Sequence, residues 1–260
     1  MTSEAAPPPA TVDEDDTPST KHSSFWRELP ILVVIALALA FVLKTFLIQA
    51  FYIPSGSMEN TLQIGDRVMV NKLAYTLGDI QRGDVIVFSG VDSWDPEIQV
   101  ADSGNPVTDA LRSVAGLFGF ATANEKDYIK RVIGLPGDHV QCCDKQGRIT
   151  VNGVPIDEEE YLYKGNKPSE DSFDVWVPED RLWVMGDHRA ASADSRAHIG
   201  DPGGGSIPID SVVGRAFVVI WPFSDMGLLT RPDGIDNDAI DEAQTPRPSK
   251  QETQSGSSEP

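Results

Sequence analysis

The sequence predicts a mainly β protein: an antiparallel, barrel-like sheet domain behind a single N-terminal transmembrane helix, with disordered tails. Short runs of alternating apolar and polar residues, a long apolar run before them, and polar, Pro-rich chain ends carry this prediction. The predicted boundaries are 1–29 for the first tail, 30–50 for the helix, 51–229 for the β domain with an insertion at 91–125, and 230–260 for the second tail.

The alternating runs define the β domain. They are rich in Val, Ile and Phe and are bounded by Gly-Asp and Pro-Gly pairs, a pattern typical of short antiparallel strands separated by turns. The six clearest runs lie at 66–73, 83–90, 127–134, 148–153, 181–187 and 212–223.

The long apolar run begins at Ile31 and continues to Ile48, about 18 residues against the roughly 20 that cross a bilayer as a helix. A cleaved secretory signal peptide is disfavoured, because an acidic segment precedes the run and Ile48-Gln49-Ala50 is a poor cleavage site. A buried core helix would be amphipathic, whereas this run is apolar all round. We therefore expect an uncleaved membrane anchor, although Lys21 and Arg27 alone hardly decide its orientation.

The insertion at 91–125 has poor strand signals. Its segment 110–120 alternates enough to form a short amphipathic element. It could pack on the domain as an ordinary insertion or dip into the membrane that anchors the chain.

The composition excludes some functions. The net charge of -19 disfavours nucleic-acid binding, because such a surface repels phosphates. The two cysteines, Cys142 and Cys143, are adjacent, so they form neither a conventional disulfide framework nor a zinc cluster. They are either two small half-buried residues or a vicinal disulfide.

A candidate nucleophile follows the apolar run. Ser57 stands in Pro54-Ser55-Gly56-Ser57, a rigid turn suited to displaying a hydroxyl. A serine needs an adjacent base to become nucleophilic. Among the histidines, His188 and His198 stand among small and polar residues and leave a Ser-His-Asp triad open, whereas His22 lies in the tail and His139 at a strand start.

Lys130 is the alternative base. It lies in a predicted strand whose two-residue alternation places Tyr128 and Val132 on the same face. Burial on such an apolar face lowers the pKa of a lysine from its usual value of about 10.4, so that the neutral amine can accept a proton. The residues alone favour an ordinary surface lysine, with its charged end in water.

Five sequence blocks together resemble the type I signal peptidases, bacterial leader peptidases that use a Ser–Lys dyad. The family pattern P-S-x-S-M-x-P-T-L matches 54–62, and G-D-R-V-M-V matches 65–70. R-G-D-V-I-V-F matches 82–88, Y-I-K-R-V-I-G-L-P-G-D matches 128–138, and M-G-D-N-R-x-x-S-x-D-S-R matches 185–196. The resemblance covers 31–90 and 126–223.

The resemblance implies a set of catalytic roles. Ser57 would attack the scissile carbonyl and Lys130 would accept its proton, with the Ser57 N–H and the Ser55 hydroxyl as the oxyanion hole. Ser192 would orient Lys130 through a hydrogen bond, and Asp194 and Arg196 would form a supporting ion pair. It implies no metal and no cofactor.

The resemblance also implies substrate and location. Signal-peptide-bearing preproteins would bind as an extended strand and be cut after an A-x-A-like site, and membrane lipid would surround the anchor. The N-terminus would be cytoplasmic and the catalytic domain extracytoplasmic, with the nucleophile close to the membrane. The apolar side-chain pockets would be lined by Phe51, Ile53, Leu62, Tyr128 and Ile129.

Two departures from the family pattern stand out. Asn60 replaces a proline, and His188 stands where asparagine is common. Two rivals remain: a self-cleaving repressor with a Ser–Lys site, which the anchor and the acidic body argue against, and a catalytically inactive, membrane-anchored peptide-binding β domain.

Overall fold

The computed structural model describes residues 25–76, 78–91, 93–94, 127–235 and 237–243. The predicted tail at 1–24, nearly all of the 91–125 insertion and residues 244–260 lie outside these ranges. By its internal contacts the chain divides into two units, Met1–Ala40 and Phe41–Pro260.

Helix α1 spans Phe25–Phe46 and therefore begins inside the segment that was predicted as a tail. Glu28 lies in its first turn, where a carboxylate favours the helix N-terminus. Among the described residues, no helix combines the length and the hydropathy needed to cross a membrane.

The predicted helix boundary at residue 50 is wrong. A strand, β1, begins at Ile48 and pairs antiparallel with β2, so that Ile48 lies opposite Asn71 and Tyr52 opposite Arg67. The continuous apolar run hides this change from helix to strand. Phe51 of β1 is buried in a core cluster, and this burial stabilises residues 48–52 as a strand of the sheet.

The β unit contains two antiparallel sheets. The larger follows the order β1-β2-β11-β3-β4-β9-β10, with β12 paired to β11, and the smaller follows β7-β6-β5-β8. The larger sheet is curled, with β1 and β10 at the two ends of its path. The strands are β1 Ile48–Tyr52, β2 Arg67–Asn71, β3 Val85–Ser89, β4 Asp127–Gly134, β5 His139–Cys142, β6 Ile149–Val151, β7 Val154–Pro155, β8 Phe173–Trp176, β9 Arg181–Met185, β10 Ile207–Pro208, β11 Val212–Trp221 and β12 Gly227–Leu228.

The six predicted strand runs contain β2, β3, β4, β6, β9 and β11, and the mainly β prediction is confirmed. Strand β4 is central to the larger sheet, between β3 and β9. Its last six residues are buried. This strand carries Lys130 into the interior.

The C-terminal segment corrects another boundary. Residues 230–243 were predicted as tail, yet helix α2 spans Asp238–Glu242 and Ile235 and Ile240 are fully buried in a core cluster. Asp241 Oδ1 lies 2.6 Å from Arg82 Nη1. The polar composition misled the sequence interpretation, because two isoleucines suffice to fix a short segment on a preformed core.

Replacing Ile240 by Ala should lower the free energy of unfolding by about 2–5 kcal/mol, because the methyl groups removed are fully buried. Leu228→Ala, at a side chain that is 75% exposed, is the control and should change it by less than about 0.5 kcal/mol. Urea unfolding of the full chain measures both. Equal, small effects would mean that 230–243 is a tail after all.

Candidate active site

The loop between β1 and β2 presents Ser57. Backbone hydrogen bonds close its base, from Ile53 N–H to Asp66 C=O and from Gly65 N–H to Ile53 C=O, both 2.9 Å long. Met58 and Leu62 are fully buried and fix the loop to the core. The Ser57 side chain is therefore held in place, with the residue only 5% exposed.

Lys130 meets Ser57 from the middle of β4. Its Nζ lies 2.8 Å from Ser57 Oγ and donates a second hydrogen bond to the Ile129 carbonyl at 3.0 Å. These two residues are 73 positions apart in the chain. The fold thus places a nucleophile and a potential base in direct contact.

The environment of Lys130 makes the amine easier to deprotonate. Lys130 is 3% exposed. Burial lowers its pKa to about 8, although the charges of Asp194 and Asp187 oppose this shift. A pKa this near to neutral pH suits a lysine that acts as a base.

The histidines have other partners. His188 Nδ1 lies 2.9 Å from Glu59 Oε2, and His198 Nδ1 lies 2.6 Å from Asp201 Oδ2. The side-chain contact that the structure gives to Ser57 Oγ is with Lys130. Geometry therefore favours lysine over either histidine as the base.

Asp194 and Arg196 lie together as an ion pair, with Nη2 2.8 Å from Oδ2 and Nε 2.9 Å from Oδ1. Although burial alone would raise the pKa of Asp194, the hydrogen bonds and charge of Arg196 lower it. Asp194 also accepts a hydrogen bond of 3.0 Å from the Gly186 N–H. The pair connects the two ends of the last family block.

Ser192 does not make the hydrogen bond to Lys130 that the resemblance implied. Its hydroxyl is buried, and its contact with Asp194 contributes to the lowered pKa of that carboxyl. It packs so closely on Gly186 that a Cβ at that glycine would lie 2.2 Å from Ser192 Oγ. The second hydrogen bond of Lys130 goes to the Ile129 carbonyl of its own strand instead.

The predicted substrate positions divide into two groups. Phe51, Ile53, Tyr128 and Ile129 line one small cavity of about 20 Å³, between β1, β3 and β4. Leu62 is not among its lining residues; it is fully buried in the core. The four that line the cavity come from the two segments that flank the Ser57–Lys130 contact in sequence. Ser55 is exposed on the same loop as Ser57.

A buried ionic network supports the site and was missed from the sequence. Arg131 binds Asp187 through two contacts, of 2.9 Å at Nε and 2.7 Å at Nη2. Thr61 Oγ1 donates to Asp187 Oδ2 at 2.5 Å, and Arg131 Nη1 donates to the Gly83 carbonyl at 2.8 Å. The network joins the loop after Ser57 to the segment after β9. The sequence signal that could have revealed it is Arg131, a charged residue that two-residue alternation places between Ile129 and Ile133 on an apolar strand face.

The adjacent cysteines are paired as a vicinal disulfide. They line a surface cavity of about 550 Å³ in the smaller sheet, together with Asp144, Thr150 and Asp174. Of the two alternatives left by the sequence, the structure has the disulfide.

The departure at residue 60 alters the turn after the nucleophile. Asn60 has φ of 89°, in the left-handed region that asparagine tolerates. Proline is restricted to φ near −65°, so it could not occupy this conformation. The turn therefore differs in backbone conformation from any that proline could form.

Comparisons with known proteins show the family. The model of the family described as "Signal peptidase, peptidase S26" matches residues 26–221. The chain belongs to this family. It is 41% identical over 233 residues to the probable signal peptidase I of Mycobacterium leprae, covering 80% of each chain. It is 39% identical over 216 residues to the probable signal peptidase I-2 of a Synechocystis strain, covering 83% of this chain and 82% of that protein.

Replacing Asn60 by Pro should destabilise this signal peptidase family member by more than about 1 kcal/mol, although proline is the family's residue there, because φ must change sign. Asn60→Gly is the matched control and should keep wild-type stability, since glycine adopts positive φ freely. Thermal unfolding compares the three proteins. A proline variant as stable as wild type would contradict the left-handed conformation.

Proposed function

We propose that this chain is a membrane-anchored signal peptidase I, a serine endopeptidase that removes signal peptides from exported preproteins by cutting after an A-x-A-like site. The observation that carries the proposal is the 2.8 Å contact between Lys130 Nζ and Ser57 Oγ, with the pKa of the lysine lowered to about 8. Membership of the family supports a serine endopeptidase that acts on preproteins.

The geometry supports the following reaction. Ser57 Oγ attacks the scissile carbonyl while its proton passes to neutral Lys130 Nζ. The oxyanion would receive hydrogen bonds from the Ser57 N–H and the Ser55 hydroxyl, and one such donor contributes about 3–4 kcal/mol. The lysine ammonium then protonates the leaving amine, and water, deprotonated by Lys130, hydrolyses the acyl-enzyme.

The small cavity supports a preference for small side chains. Its volume of about 20 Å³ suits a methyl group better than a larger side chain. Edge strand β1 lies beside it, and an extended substrate could bind along this segment by strand addition. We infer that alanine-like residues occupy the -1 and -3 positions.

The membrane anchor and the extracytoplasmic location of the catalytic domain belong to the same proposal. Their support is the apolar sequence of 31–43 and the exposure of its large side chains in α1, where Ile31 is 60% and Leu37 is 65% exposed. Such a surface is unfavourable in water and favourable in lipid. The apolar run continues to Ile48, and only a few residues separate Ile48 from Ser57, which would keep the nucleophile near a membrane surface where preproteins arrive.

The first test is cleavage of a purified precursor with an A-x-A site by the full chain in detergent. We expect one cut after the final alanine, and a loss of at least about 10³-fold in kcat for Ser57→Ala and Lys130→Met. Lys130→Arg is the matched control that keeps a side chain of similar length but stays protonated, so it should be equally inactive.

The other outcomes have definite meanings. Cleavage that survives Lys130→Met would move the base to His188 or His198. No cleavage by a folded wild-type protein would favour the inactive, peptide-binding alternative.

The pH profile tests the lysine separately. With a pKa of about 8, roughly a tenth of Lys130 is neutral at pH 7 and roughly nine tenths at pH 9. Because the neutral form is the base, kcat/KM should rise about tenfold over this range. Initial rates at low substrate concentration measure it, with circular dichroism at each pH as the control for folding. A rate that stays constant from pH 5 to 9 would contradict the assignment.

A further inference from the structure

The two departures from the family pattern meet in the structure. Asn60 lies three residues after Ser57, and His188 follows Asp187 of the buried network. His188 contacts the same loop twice, through its backbone and through its ring. The loop that holds the nucleophile is therefore bound by a residue that the family pattern does not contain.

His188 is held on three sides. Its N–H donates to the Ser57 carbonyl at 3.1 Å. Its Nδ1 lies 2.9 Å from Glu59 Oε2, and its ring stacks on Tyr163 with 3.9 Å between centroids and 12° between planes. The Tyr163 N–H in turn donates to the Asp187 carbonyl at 2.9 Å. Two of these contacts are with the Ser57 loop, and the stack on Tyr163 holds the imidazole from outside that loop.

The Glu59 carboxylate lies against Gly56, the residue between Ser55 and Ser57. A Cβ at Gly56 would be 2.9 Å from the Glu59 carboxyl carbon and 3.0–3.1 Å from its two oxygens. The Glu59 N–H also donates to the Gly56 carbonyl at 3.1 Å. A negative charge is therefore held beside the turn where the oxyanion would form.

Residue 60, where the family pattern has proline, places no proline restriction on the backbone after Ser57. Asn60 has positive φ, and its side-chain amide donates a long hydrogen bond of 3.4 Å to the Glu160 carbonyl. The strongest side-chain link from residues 59–60 to the rest of the domain is the Glu59–His188 contact, of 2.9 Å.

We propose that His188 is a positioning residue for the reaction, which holds the Glu59 carboxylate and thereby fixes the Ser-Gly-Ser turn in the absence of proline at residue 60. The contact with His188 also reduces the electrostatic repulsion between the Glu59 carboxylate and the oxyanion. This role rests on the proposed function, because it concerns the geometry of Ser57 as nucleophile.

Two other histidines of the described ranges have the same surroundings and provide controls. His139 lies 2.6 Å from Asp174 and stacks on Trp176 at 4.2 Å, and His198 lies 2.6 Å from Asp201 and stacks on Trp94 at 4.4 Å. His139 is in β5 of the smaller sheet, and its N–H donates to Asn152 Oδ1 at 2.8 Å. Removing it breaks similar contacts without touching the Ser57 loop.

The experiment compares His188→Ala, Glu59→Gln, the double variant and His139→Ala in the full-length protein in detergent. A displacement of reacting groups by a fraction of an ångström to 1 Å costs up to about 100-fold in rate. We expect His188→Ala to lower kcat about 10- to 100-fold with KM unchanged, and His139→Ala to change neither. Adding Glu59→Gln to His188→Ala should recover several-fold in kcat, because the unpaired charge is removed.

A second measurement is independent of catalysis. Amide hydrogen exchange of residues 55–62 should become faster in His188→Ala and stay unchanged in His139→Ala. If the wild-type protein did not cleave precursors, the proposed function would fail while this measurement still decided the positioning role. Unchanged exchange of 55–62, equal losses of kcat in both histidine variants, or no recovery in the double variant would each overturn the proposal.

Discussion

The candidate active site depends on shielding the Lys130 amine from water. Lys130 can accept a proton from Ser57 only if burial removes the stabilisation that water gives its ammonium form, and two buried carboxylates, Asp187 and Asp194, act against this. Each carboxylate is bound by its own arginine, Arg131 for Asp187 and Arg196 for Asp194. Each arginine offsets part of the negative charge that would otherwise favour the protonated lysine more strongly. The ionic framework around the site is thus compatible with a neutral base because each of its anions is already paired.

This arrangement has a cost in stability. The pKa of Lys130 falls from 10.5 in the unfolded chain to about 8 in the fold, so the unfolded chain binds more protons between these values. The free energy of unfolding therefore rises with pH between about 8 and 10.5. Below pH 8 the lysine is protonated in both states, and burying its ammonium group costs stability. The fully buried side chains around the site, among them Met58, Leu62 and Ile86, offset that cost by removing apolar surface from water.

Local patterns predicted what depends on local physics. Two-residue alternation between Gly-Asp turns located six strands, since side-chain direction in a strand follows from the backbone alone. The five blocks located Ser57 and Lys130, which the fold brings within 2.8 Å. The missed features depend on distant partners. Strand β1 begins at Ile48, the last residue of the apolar run, and its pairing with β2 distinguishes it from helix. Ile240 is buried against core residues that are distant in the sequence, and Ser192 packs against Gly186.

Adjacent cations on one strand show how such a site is assembled. Lys130 and Arg131 point to opposite faces of β4, and both are buried. Arg131 binds Asp187 through two contacts and donates to the Gly83 carbonyl, so its planar group stays charged with most donors satisfied. Lys130 has two hydrogen bonds, to neutral oxygens. Arg131, which stays charged, is thus paired with the Asp187 carboxylate. Lys130, which can lose its proton, has no direct hydrogen bond to a carboxylate among the described residues. Exchanging the two residues would reverse this order, because arginine does not deprotonate and lysine cannot bind a carboxylate in the same planar manner.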